Sequence, residues 1–432
     1  MSDDGADRVR PATGRETVVI GAGLAGLRCA IRLAANGCRV VVLEREEVVG
    51  GRQRTDRIDG FLLDRGFQVL NPAYPAVRRW VDVDGLHLRR FPVGVRVRRE
   101  DRVVALAHPL RHPGRLPLTL ASGLVDPRDL IALARWATPA LLQPRRVIAG
   151  PDRTLQKGWD RVGLRGPLRT EVLEPFLAGV LAEGVGASSD TFAKLLVRMF
   201  ALGGPGVPEQ GIAALPAQLE QEARELGVEF RLGAGVRGIR APGGRVEVDI
   251  DGGDVVSADA VVVAAGPDAV SALVDLPAPA TRGLQTWWFE ADAGAPASPL
   301  LTVDGRRAGP IVNTVVMSRT APSYAPPGRH LVQATCLLPA AAREKPATAA
   351  QESDVRRQLS ELWGPAAASW PLLRRDDVFD ALPSQPPPLR TTSPARLTDG
   401  LYVAGDHRDT ASIQGALVSG DRVARAVLAD LA

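Results

Sequence analysis

Gly21, Gly23 and Gly26 follow directly on the apolar run Glu16–Ile20, and a helical pattern begins behind them. That order of parts can hold a pyrophosphate. The first glycine permits a tight turn, the second lets the backbone approach the phosphates, and the third lets helix and strand pack closely. A helix N-terminus adds unpaired amides and the positive end of a dipole. Behind the glycines, Leu27, Ala30, Ile31 and Ala34 recur at helical spacing and Gly37 ends the run. The stretch CRVVVLE then reads as a second strand closing on Glu44. An acid at that place accepts hydrogen bonds from ribose hydroxyls and disfavours a 2′-phosphate. With both strands, the helix and the acid present, the motif is specific.

The same glycine spacing recurs in RLGAGVRGIR, at Gly233, Gly235 and Gly238. A strand, VEFRL, precedes it, but no helical pattern follows. The residues after Gly238 alternate as a β-hairpin about Pro242, Gly243 and Gly244. Without a helix N-terminus there is nothing to neutralise a pyrophosphate. The sequence therefore predicts one dinucleotide site and no dedicated NAD(P)H site.

Further residues suit a bound dinucleotide. Gly50 and Gly51 let backbone come close to a ligand, and Arg52, next in GGRQRT, can bridge phosphate oxygens with two donors. A short hairpin, TDRIDGFLLDRGFQVL, carries Asp64 and then Gly66, Phe67 and Gln68 near its end. Close to the C-terminus, LYVA reads as a strand, Gly405-Asp406 as a turn, and Ile413–Leu431 as an amphipathic helix.

Together VVIGAGLAGL, VVVLE, VGGRQRT and LYVAGD…SIQGALVSG resemble the flavin-containing amine oxidase superfamily, to which phytoene desaturases, protoporphyrinogen oxidases and monoamine oxidases belong. LDRGFQVLNPAYPAV, FLAGVLAEGV and PIVNTVV resemble its desaturase-like branch. The resemblance implies an α/β fold: a Rossmann-type, glutathione reductase-like FAD-binding domain with an inserted α+β substrate domain. It implies that Gly21, Gly23, Leu24, Ala25 and Gly26 hold the pyrophosphate, Glu44 the ribose, and Gly51 and Arg52 the phosphates. Arg45 and Val236 would lie at the adenine end, and Gly66, Phe67 and Gln68 near the isoalloxazine. Gly405 and Asp406 would meet the pyrophosphate or ribityl chain. Ile413, Gln414 and Ala416 would meet the flavin ring, where a helix N-terminus can stabilise charge on the reduced ring.

On that reading the FAD domain comprises 14–75, 209–275 and 393–432. The substrate domain comprises 76–208, mainly helical from 116 on, and 276–392, rich in strands up to 338. Residues 1–13 form a flexible N-terminus, and the proline-rich 383–390 is a linker. The 432 residues, 45% hydrophobic, allow two or three domains, and the net charge of +4 argues for no nucleic-acid partner. The N-terminus lacks an apolar signal region and no apolar run could span a membrane, so a cytoplasmic protein is expected. Ten arginines between residues 78 and 115 read first as a solvated face, and leave open a peripheral contact with anionic lipid.

The flavin performs the chemistry in such a protein, and the chain positions and tunes it. Amine oxidases of the superfamily place a lysine near the flavin. None of Lys157, Lys194 and Lys345 falls on a strand that would reach it, and no cysteine follows Cys336 to tether the ring. These absences favour dehydrogenation of a small apolar organic substrate by non-covalent FAD, with dioxygen or a quinone as acceptor. An amine oxidase, a flavin-dependent isomerase and a redox-inactive FAD carrier stay open as alternatives. Catalytic residues beyond the flavin and the oligomeric state are not identified, and no metal is expected. His407 reads as a surface or capping histidine that could also approach the flavin edge. Trp287, Trp288 and Phe289 read first as strand core and leave open a substrate-facing role. Asn313 could face a substrate, and Arg408 and Asp409 are expected to pair. His108 and His112 read as loop residues.

Overall fold

Alternating short β-branched runs and helical stretches build a parallel sheet in the first of two units. The computed structural model describes residues 14–107, 122–241, 244–292 and 294–432. The expected flexible N-terminus, His108, His112 and the hairpin tip at Pro242 and Gly243 lie outside them. One unit comprises 1–53, 215–279 and 391–432, and the other 54–214 and 280–390.

In the first unit the strands run in the order Arg396–Thr398, Leu401–Val403, Ala260–Val263, Glu16–Ile20, Arg39–Leu43 and Glu229–Arg231. All pair in parallel except the first, which is antiparallel to its neighbour. Parallel strands are buried on both faces, which is why ETVVI, RVVVL and AVVV are almost uninterrupted apolar runs. Val18, Ile20, Val261, Val263 and Val403 share one core with Val246, Val248 and Ile250 of a three-stranded antiparallel sheet. The helix Leu24–Ala34 packs on the C-terminal helix Ile413–Leu431. A Cβ on Gly420 would lie 2.1 Å from the Ala25 carbonyl oxygen, so only glycine allows this approach. Asp421 fixes the crossing by accepting from Arg28 at 3.0 Å and Arg32 at 3.1 Å, all but the Arg32 side chain being deeply buried.

The second unit is built on a seven-stranded sheet. Its order is Leu372–Pro383, Thr281–Ala291, His330–Leu338, Ile311–Val316, Leu301–Asp304, Gly94–Arg98 and Val103–Ala107. Only Leu301–Asp304 and Gly94–Arg98 pair in parallel. The helix Glu352–Trp363 buries Val355, Leu359 and Leu362 against one face, with Trp287, Phe289 and Cys336. Helices Pro127–Leu142, Pro144–Ala149, Leu155–Val162, Glu174–Leu181 and Asp190–Leu202 occupy the stretch that the sequence marks as helical.

The unit boundaries differ from the expected segments. Residues 54–75 and 209–214 belong to the second unit rather than to the dinucleotide-binding one. The reason is packing: the hairpin Thr55–Ile58/Phe61–Asp64 buries Phe61, Leu62 and Leu63 with Trp288, Tyr324 and Leu331.

Candidate functional site

The first glycine turn has the geometry that a phosphate cradle needs. Gly21 has φ +102°, and a Cβ there would press on the Ala264 carbonyl oxygen at 2.8 Å. Gly26 lies so close under the turn that its Cβ would sit 1.9 Å from the Gly21 carbonyl oxygen. Gly23, at the N-cap of Leu24–Ala34, faces open space: nothing lies within 4 Å of where its Cβ would be. No side chain caps this helix and no acid lies in its first turn, so the Leu24, Ala25 and Gly26 end presents its dipole uncompensated. Gly51 closes the cradle from the other side, with its Cβ position 3.4 Å from the Gly23 Cα. The Gly50 amide donates to the Ala22 carbonyl at 2.9 Å, which holds the two glycine loops together.

Glu44 ends its strand at the edge of this cradle, buried. Its Oε2 accepts from the Ala22 amide at 2.7 Å and its Oε1 from the Glu46 amide at 3.0 Å. An ionised carboxylate has about four acceptor positions, so two remain for ribose hydroxyls. Arg45 is exposed and lies 3.7 Å from the Glu46 carboxylate. Arg52 donates to Asp406 at 2.5 Å, so two residues expected at the phosphates meet each other. Asp406 opens a short 3₁₀ turn after Gly405, whose amide donates to Ser419 Oγ on the C-terminal helix. Ser412 caps that helix by accepting from the Gly415 amide at 3.0 Å, and the Ala416 amide returns to the Ser412 carbonyl. Ile413 and Gln414 therefore form the outermost turn. These residues and the open space over Gly23 fit an FAD diphosphate.

One expected pair is corrected, and the other singled-out residues take these places. Gly66, Phe67 and Gln68 belong to the second unit. There Phe67 stacks edge-on against Phe91 at 6.1 Å and the Gln68 amide donates to the Arg65 carbonyl. Arg408 and Asp409 do not pair: Arg408 donates to the Pro394 carbonyl, and Arg422 is the base beside Asp409, at 3.7 Å. Burial pushes the Asp409 carboxyl up to about 6. Trp287, Trp288 and Phe289 are core residues, each almost wholly buried, because both faces of the central strand are covered. Asn313 is buried too, wedged at Gly179, where a Cβ would collide with its Nδ2.

His407 packs its ring on Gly405, and neither ring nitrogen has a hydrogen-bond partner. Burial holds it neutral by lowering its pKa to about 4, against a smaller opposing pull from Asp406. The second glycine motif is strand rather than phosphate loop. Val236–Arg240 pairs antiparallel with Val246–Ile250, Val236 standing opposite Ile250, and no helix follows Gly238.

Two arrangements were not legible in the sequence. One is Asp64, which gathers Thr55, Ile212 and Tyr324. The other is the Asp421 pair with Arg28. Thr55 is nine residues from Asp64 across the hairpin, but Ile212 and Tyr324 lie 148 and 260 residues from it and Arg28 lies 393 from Asp421, so no local pattern announces them.

The chain is similar to known proteins. The chain is 30% identical over 448 aligned residues to a hydroxysqualene dehydroxylase of Rhodopseudomonas palustris, covering 95% of this chain and 98% of that one. It is 32% identical to a zeta-carotene-forming phytoene desaturase of Myxococcus xanthus, over 61% of this chain and only 56% of the relative's length. Among solved structures, an oxidoreductase from Methanosarcina mazei shares the fold with a TM-score of 0.75 at 19% identity, over 94% and 99% of the two chains. The family model for flavin containing amine oxidoreductase matches residues 24–428. The chain belongs to that family, and so to the FAD-dependent oxidoreductases.

Proposed function

We propose that the chain dehydrogenates a small apolar organic substrate, in the manner of a desaturase. FAD, held without a covalent bond, supplies the hydride acceptor and is reoxidised by dioxygen or a quinone. The observation that carries the reading is the cradle: an open Gly23, a bare helix N-terminus, and Gly51 closing on both. On this reading the Leu24–Gly26 amides take the phosphates and Glu44 the ribose. Arg52 neutralises phosphate charge while Asp406 fixes its guanidinium. Gly66, Phe67 and Gln68 approach the isoalloxazine, and the Ile413–Ala416 turn approaches the ring's carbonyl edge. Val236 and Arg45 serve the adenine end.

The substrate class follows from the relatives' names, which concern carotenes and hydroxysqualene. A polyisoprenoid hydrocarbon chain is the common chemistry. The lysines agree with it: Asp190 holds Lys194 at 2.7 Å on a helix of the second unit, and Lys157 and Lys345 are exposed. Cys336 lies in the sheet core, where burial pushes its thiol up and keeps it unreactive. A lipophilic substrate of this kind partitions into bilayers, and peripheral contact with a membrane suits its collection.

The test is anaerobic reduction of the bound flavin by panels of polyenes, porphyrinogens and amines. Bleaching by polyisoprenoids alone is expected. Bleaching by amines alone would replace this reading with amine oxidation.

A further inference from the structure

The helix Pro127–Leu142 is built inside out. At about 100° per residue its inner arc carries Asp129, Ala132, Trp136 and Ala140, all buried. Leu133 packs inward, but three large aliphatic residues lie outside that arc: Leu130 is 44% exposed, Ile131 53% and Leu142 74%. The next helix, Pro144–Ala149, buries no residue at all and adds Ile148 at 42%. Scattered exposed aliphatics are ordinary, but four on two consecutive helices make a patch that water disfavours.

The charge beside the patch is mainly positive, the exposed N-cap Asp126 being the nearest acid, spent on the Arg128 amide. Arg128 and Arg135 lie along one flank of the first helix, and Arg145 and Arg146 start the second. Among the described residues none of these four pairs with a carboxylate, and the only acid in 127–150 is the buried Asp129, turned inward to the Gly166 amide. The surface is anchored rather than loose. Trp136 Nε1 donates to Asp190 at 2.6 Å, and Arg198 donates to the Ala140 and Leu141 carbonyls, so the helix Asp190–Leu202 backs it along its length. Leu202, 54% exposed, is carried to the same end as Leu142.

We propose that helices Pro127–Leu142 and Pro144–Ala149 dock the protein on an anionic bilayer, inserting Leu130, Ile131, Leu142 and Ile148 among the acyl chains with the arginines on lipid phosphates. Such an arrangement of aliphatic face and cationic rim is that of an interfacial helix. The purpose of the surface rests on the apolar-substrate reading above, and its aliphatic face and those four arginines do not. The described part of the basic stretch, 78–107, is the weaker surface, because several of its arginines are engaged within the protein: Arg89 with Glu209, Arg99 with Glu171, and Arg96 over the Trp363 ring.

The experiment is co-sedimentation of the FAD-loaded full chain with vesicles of phosphatidylcholine, alone or mixed with phosphatidylglycerol. Binding to the mixed vesicles alone, weakening as salt is added, is expected. Ile131→Glu with Leu142→Glu should lower it at least tenfold at unchanged flavin content. Arg145→Glu with Arg146→Glu should lower it on the order of fivefold for each arginine. Absence of vesicle binding, equal binding by both variants and the wild type, or a wild-type dimer that the Glu variants split into non-binding monomers would each overturn the proposal. Vesicle binding without flavin reduction by any polyisoprenoid would instead remove the functional reading and leave the docking surface standing.

Discussion

Replacing Tyr324 by Phe removes one oxygen from the buried hub at Asp64, and its cost should grow with pH. Asp64 Oδ1 accepts from Thr55 Oγ1 at 2.6 Å and from the Ile212 amide at 3.1 Å, and Oδ2 accepts from the Tyr324 hydroxyl at 2.9 Å. Burial pushes the carboxyl up to about 6, and these donors and Arg374 hold it from rising further. The folded pKa thus exceeds the unfolded one. The stability that comes from keeping the proton is complete below about pH 4 and is lost as the pH rises through about 6. Near pH 5 the acid form outweighs the ionised form by about ten to one, and the lost bond is a neutral one of about 0.5–1.5 kcal/mol. Near pH 8 the carboxylate is ionised and the lost bond is worth about 1.5–3 kcal/mol. Without the donor, ionisation of Asp64 in the fold becomes harder, so the variant's stability falls more steeply above pH 6. The penalty should therefore be larger near pH 8 than near pH 5 by about 1 kcal/mol. All seven tryptophans lie in the second unit with Asp64, so urea unfolding followed by tryptophan fluorescence reads the relevant unit. A penalty that is equal at both pH values, or larger near pH 5, would refute this account of the hub.

Gly26→Ala should abolish FAD retention, since its Cβ would fall 1.9 Å from a carbonyl oxygen; Gly238→Ala, whose nearest neighbour is Asp249 Oδ2 at 3.5 Å, should leave flavin content unchanged and create no reduction by NAD(P)H in anaerobic stopped flow. Glu44→Ala should weaken FAD by about 1–3 kcal/mol in a fluorescence titration, because it removes a charged acceptor and releases the Ala22 and Glu46 amides. Asp421→Ala should destabilise the first unit by about 3–5 kcal/mol, seen as a lower temperature of flavin release, because a buried Arg28 guanidinium loses its carboxylate.

The first unit was legible because its signals are local. Strand, glycine turn, helix, strand and acid follow one another within about thirty residues, and each constrains the next. The second unit hides its organisation for two reasons. Its decisive polar contacts are distant, as between Asp64 and Tyr324, which are 260 residues apart. Its central strand also breaks the usual alternation. In Thr281–Ala291 the neighbours Trp287 and Trp288 point to opposite faces and both are buried, one under the helix Glu352–Trp363 and the other under the hairpin that ends at Asp64. A two-sided sheet makes aromatic runs look like pocket lining when they are core. Residues 54–75 carry the same ambiguity: their chain order follows the dinucleotide strand, but Phe61 and Leu63 bury against Trp288.

The two glycine motifs show where spacing stops being informative. At Gly26 a single methyl would meet the Gly21 carbonyl, and at Gly51 the backbone reaches the Gly23 Cα, so these glycines exist to bring backbones together. At Gly238 there is room for a methyl group, and the backbone continues as a strand with a bulge opposite Ile250 and Asp249. Nothing in the spacing separates the two cases. What separates them is the element behind the third glycine. A helix turns its amides and its dipole onto the loop, while a strand commits its amides to a neighbour and has none to offer a phosphate. The reading of one dinucleotide site, with electrons entering from an organic substrate, depends on that difference in the residues after position 238.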